Sequence, residues 1–116
     1  MTNRQALTAY TTICRLGQRA SGKAAFALFR LKRQLKEVVD FQGEEQEKLV
    51  AQCGGKIAEN GLILIDDEEQ QKRFREMDDE LGRMEVDLQP IELPENSVPD
   101  ITLAEIEALE GVVNFI

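Results

Sequence analysis

Two short stretches hold residue types that could do chemistry. Residues Gly17 to Ala24, GQRASGKA, meet every position but the last of the pattern G-x-x-x-x-G-K-[ST]. In that pattern backbone N–H groups and a lysine cradle phosphates while a hydroxyl holds magnesium. About forty-five residues further on, LILIDDEE from Leu62 to Glu69 has the form of the apolar strand and trailing acids that such enzymes place beside the metal. Together they would make a nucleotide-hydrolysing site.

The elements that must position these residues argue otherwise. A phosphate loop leaves a buried strand and opens a helix, but the residues before Gly17 recur at helical intervals. Ala24 stands where the magnesium-binding hydroxyl is needed, and a methyl group cannot replace it. Folds of this kind also require several parallel strands with crossover helices, and only two or three short strands can be found in the chain. Asp66, Asp67, Glu68 and Glu69 could offer oxygen to a hard cation, yet consecutive acids rarely converge on one ion without further ligands. They read instead as the capped start of a helix, and neither a metal nor a cofactor is expected.

Other catalytic arrangements are poorly supplied. The chain has no histidine, which removes imidazole-based triads and most zinc sites. Its two cysteines are far apart and form no C-x-x-C pair, so a reduced, cytoplasmic setting is expected. Cys14 falls on an apolar helix stripe and reads as packed. Cys53, at a helix end, reads as more exposed. No stretch reaches membrane-spanning length, and Met1 to Leu16 lacks the apolar run of a signal peptide.

At 116 residues the chain is expected to be a single domain. Thr2 and Gln5 have the spacing of a capping box, and Ala6, Leu7, Tyr10, Ile13, Cys14 and Leu16 then mark a helix over about Asn3 to Leu16. Gly17 and Ser21 read as its stop and the next N-cap. Ala24, Leu28, Leu31, Leu35 and Val38, with Leu49 beyond, trace one stripe of a helix from Lys23 to about Gln52, some 45 Å long. Its far half outruns the first helix, so Val39, Phe41 and Leu49 need another cover or a partner. Asn60-Gly61 predicts a hairpin ending in Leu62 to Ile65. Asp66 or Asp67 caps a third helix, which Gly82 closes. Met84, Val86 and Leu88 alternate as a strand that could pair with Leu62 to Ile65, and Thr102 with Glu105 caps a short last helix. The fold class is therefore α+β. It comprises an N-terminal antiparallel helical hairpin (1–53) with one long helix, a strand-helix-strand segment (54–93) contributing to a small antiparallel sheet of two or three strands, and a proline-bounded loop with a C-terminal helix (94–116).

Charge is strongly segregated. The net charge is −8, but residues 1–36 hold eight of the fourteen Lys and Arg and no acid, leaving six bases against 22 acids in residues 37–116. The two parts are thus about +8 and −16. Such polarity suggests charged partner surfaces: an acidic one from Asp66, Asp67, Glu68, Glu69, Glu76, Asp78, Asp79 and Glu80, and a basic one from Arg19, Lys23, Arg30 and Arg33. An apolar one would come from Val39, Phe41 and Leu49. Direct nucleic-acid binding is not expected, because no aromatic platform accompanies the bases and the protein as a whole is acidic.

The order LTAYTTICRL, a short link, KAAFALFRLKRQLKEVVDF, then FREMDDELGRMEVDLQPIEL and ITLAEIEALEGVVNFI resembles a family of small tailed-phage and prophage proteins, the domain of unknown function numbered 1617. The resemblance implies a phage or prophage origin, a small α+β protein and no family-wide catalytic residues. It places the protein in the host cytoplasm or in association with the virion. The expected function is non-enzymatic: an adaptor or assembly factor that binds a phage or host protein through its long helix and acidic surface, with homodimerisation through the long helix as one form. Leu35, Val38 or Leu49 would then be partly exposed in the monomer or buried between protomers. The alternative is an inhibitor of a host nucleic-acid-directed defence nuclease, whose acids Glu76, Asp78, Asp79 and Glu80 would mimic phosphates in a basic groove.

Overall fold

A computed structural model describes residues 1–116. The element order is α1 (Asn3–Leu16), α2 (Gly22–Gln52), β1 (Lys56–Ile57), β2 (Ile63–Leu64), α3 (Glu68–Arg83), β3 (Ile91–Leu93), α4 (Leu103–Ala108) and β4 (Val113–Phe115). The class is α+β, mostly helical, with the antiparallel helical hairpin and long second helix that the periodicity predicts.

Local signals set the helix ends. Thr2 Oγ1 accepts from Gln5 N–H while the Gln5 side chain accepts from Thr2 N–H, closing a capping box on α1. The same reciprocal pair forms between Thr102 and Glu105 on α4. Each satisfies donors that the first helical turn leaves without partners. Asp67 caps α3, its carboxylate accepting from Glu69 N–H at 2.9 Å. Ser21 occupies the N-cap of α2 but its side chain makes no capping bond. Reversal into α2 depends on Gly22, whose φ of 60° lies in the left-handed region that favours glycine. Gly82 does not end α3: the helix runs one residue further, and Gly82 is buried against the Arg4 side chain.

Two apolar clusters sit at opposite ends of α2. The larger joins Ala9, Ile13 and Leu16 of α1 to Leu28, Leu31 and Leu35 of α2, and is closed by Leu109 and Val112 after α4. Leu35 is fully buried there, so it is neither an exposed nor an inter-protomer residue. The smaller holds Val50 and Cys53 against Ile65 of the hairpin and Phe74 of α3, with Leu49 packed beside them. Cys53 is thus buried rather than exposed, while Cys14 is the half-buried thiol. The molecule is correspondingly elongated, 51 × 27 × 23 Å.

The sheets differ from the predicted pairing. β1 and β2 form the expected antiparallel hairpin around Asn60-Gly61, with Ile57 opposite Ile63. Residues 84–88 do not pair with it. Instead Met84 O accepts from Asn3 N–H at 2.9 Å and Met1 O accepts from Val86 N–H at 2.8 Å, stitching that segment to the chain start. The buried Asn3 side chain adds a 2.8 Å donation to Leu81 O. β3 lies further along and runs parallel to β4, with Ile91 opposite Val113 and Leu93 opposite Phe115. The proline-bounded loop and α4 supply the crossover that a parallel pair needs.

Candidate interaction surface

GQRASGKA lies between α1 and α2, and no strand leads into it. Gly17 N–H donates to Ile13 O, and the segment is a helical link. Arg19 in that link is committed internally. Its guanidinium donates to Glu105 Oε2 at 2.6 Å and to Asp100 O at 2.9 Å, clamping the link to the start of α4. Asp100 is the one non-glycine residue with positive φ, at 57°. The Arg19 bond, followed by the N–H of Thr102, holds the Glu105 carboxyl below its ordinary value.

The eight acids around α3 do not form one free surface. Asp67 is occupied as the cap, Asp79 pairs with Arg4 at 3.0 Å, and Asp78 turns toward α2 to accept from Gln46 at 3.3 Å. Asp66, Glu68, Glu69, Glu76 and Glu80 are exposed, and α3 interleaves them with Lys72, Arg73, Arg75 and Arg83. No three acids or thiols come together as a cation-binding group.

The outer face of α2 is exposed along much of its length. At 100° per residue, the buried stripe Ala24, Leu28, Leu31 and Leu35 leaves Phe26, Phe29, Arg30, Arg33, Glu37, Asp40, Phe41 and Glu44 on the opposite side, and all eight are exposed. Three of the chain's five phenylalanines stand here, with 69%, 56% and 46% of Phe26, Phe29 and Phe41 exposed. Phe26 and Phe29 are not among the apolar residues expected from sequence, although projecting the core stripe through half a turn identifies them. They supply aromatic groups among the bases after all, and Arg33 lies over the Phe29 ring at 5.9 Å.

Of the remaining expected residues, Lys23 and Arg30 are exposed, Phe41 stands on the outer face, and Val39 is half-buried on its flank. Leu49 packs beside the smaller cluster but stays half-buried, as does Val38 beside the larger, in keeping with the partial exposure expected of them. Beside Phe29 a shallow apolar groove runs between the two helices, lined by Ile13, Cys14, Ala25 and Leu28. No helix is long and apolar enough to cross a membrane. Comparison with family models, curated proteins and solved structures finds no match for this chain.

Proposed function

We propose that this is a non-enzymatic protein-interaction protein, an adaptor or assembly factor that binds a protein partner through the outer face of α2. The observation that carries the proposal is the exposure of Phe26 and Phe29, with Phe41 further along, on the outer side of a helix that already buries its other face. Neighbouring exposed aromatics such as Phe26 and Phe29, rimmed by charge, are a feature of protein contact surfaces, since they gain from being removed from water. The phage or prophage setting, in the host cytoplasm or on the virion, rests on the sequence resemblance alone. The acids that remain exposed on α3, which packs on the inner side of α2, would act on the partner only through long-range steering.

Mimicry of nucleic acid, the alternative, draws on Glu69, Glu76 and Glu80, but the bases interleaved with them dilute the field that a phosphate mimic requires. Capture from host or infected lysate separates the two. Phe26→Ser with Phe29→Ser should abolish recovery of partner protein, whereas Glu76→Lys with Glu80→Lys should leave it largely intact. The opposite pattern would replace adaptor with mimic.

A further inference from the structure

We infer that the occupant of the α2 outer face is a second copy of this chain, docked antiparallel about a twofold axis near the middle of α2. The inference rests on the adaptor function and names its partner. The face is charge-complementary to itself in the antiparallel sense, because its bases precede its acids along α2. With the axis level with residue 35, Arg33 comes level with Glu37 of the other copy and Arg30 with Asp40, both near the middle of the seam; Lys23 and Glu47, like Phe29 and Phe41, come level on opposite flanks, and Phe26 faces Glu44. All ten residues are exposed. The twofold makes each level pairing occur twice, and none of them sets like charges together. A parallel, in-register pair would stack Arg30 on Arg30 and Asp40 on Asp40, which is repulsive.

Phe26, Arg30, Arg33, Glu37, Asp40 and Glu44 are spaced four, three, four, three and four residues apart and so align along one stripe of the helix, five of the six being charged. From Lys23 to Glu47 the seam is about 36 Å long. The charges on it are free to pair, since none of Arg30, Arg33, Glu37, Asp40 and Glu44 takes part in an ion pair within the chain. Arg33 and Glu37 are one helical turn apart but in the less favourable order, with the base N-terminal. The charges set the antiparallel direction, while Phe29 and Phe41 lie on opposite flanks of the seam. Because the seam is partly charged and solvated, the dimer should be reversible and weaken with salt.

Sedimentation equilibrium on the full chain tests this. The wild type should shift from 13.1 kDa toward twice that mass as concentration rises through the micromolar range. An acidic variant, Arg30→Glu with Arg33→Glu, and a basic variant, Glu37→Arg with Asp40→Arg, should each dimerise at least about tenfold more weakly. An equimolar mixture of the two should form a heterodimer. The chain carrying all four substitutions should regain the wild-type association, with circular dichroism showing that every variant remains helical.

A wild type that stays monomeric, or a dimer indifferent to the charge swaps, overturns the twofold pairing. If such a monomer still captures a partner through Phe26 and Phe29, the adaptor function stands and only self-pairing fails. A charge-dependent dimer that captures nothing else leaves the pairing standing and removes the adaptor.

Discussion

Arg19 and Glu105 show how individual residues close the fold. They lie 86 positions apart, and their 2.6 Å bond joins the helical link to the N-terminus of α4. Because Glu105 is held below its ordinary value, its contribution to stability is fully present above about pH 4.3, the usual value for an unfolded chain, and is lost as pH falls through the lower folded value. Thermal melting from neutral pH into that acid range should therefore fall more steeply for wild type than for Glu105→Gln. Parallel curves would mean that the pair contributes nothing. Gly55 is a second residue-scale constraint. A Cβ there would come within 2.8 Å of Leu64 O and 2.6 Å of Ile65 Cγ1, both in the structure that seals the smaller cluster. Gly55→Ala should destabilise by about 1–3 kcal/mol, the usual cost of overpacking, as measured by denaturant unfolding. The phosphate-loop resemblance also ends at this scale, since it is carried by residue types in a link whose backbone serves the helical hairpin.

Among the elements, α2 is the beam on which the others are placed. Its 31 residues exceed the length of α1 more than twofold, so α1 supports one end while α3 and the β1–β2 hairpin support the other. Gly43 lies inside α2 with open space where a side chain would go. Gly43→Ala should stabilise the protein by about 0.5–1 kcal/mol, because glycine loses more backbone freedom in a helix than alanine. No gain in melting temperature would mean that the beam needs its glycine for another reason. Helix α4 relies on its capping box, being only six residues long. Thr102→Ala should cost about 1 kcal/mol, read by denaturant unfolding. Most of the element scale was legible in sequence, because capping boxes, the Asn-Gly turn and the 3.6-residue period are local signals that tertiary context did not override. β4 was missed for the converse reason: three residues, Val113 to Phe115, have too short a pattern to declare a strand before Ile91 to Leu93 lie beside them.

For the whole molecule, two separate clusters on one helix imply two degrees of stability. The smaller, with four buried residues, is a minor core beside the thirteen of the larger. Hydrogen exchange should find β1, β2 and α3 opening at lower free energy than α1, and Phe74→Ala should accelerate exchange there while α1 remains protected. Uniform acceleration across the chain would show that both clusters unfold as one unit. The elongated shape also gives antiparallel pairing its consequence. Two copies joined antiparallel along α2 would hold their β1–β2 hairpins at opposite ends of the assembly.

The sequence by itself determined the helices, their caps, the hairpin turn and the separation of charge into a basic first third and an acidic remainder, because each depends on neighbours a few residues apart. It also contained the reversal of charge sign along α2, although that reversal became a surface only once the inner stripe was buried. Tertiary structure decided which partners residues 84–88 and 91–93 take. Strand pairing depends on which edges the packed helices leave within reach, and the chain start occupied the first while β4 occupied the second. It likewise turned Cys53 inward, put Asp78 against α2 and bound Arg19 to Glu105. Those choices follow from where α1 and α3 meet the long helix, and that meeting left Phe26, Phe29 and Phe41 facing outward.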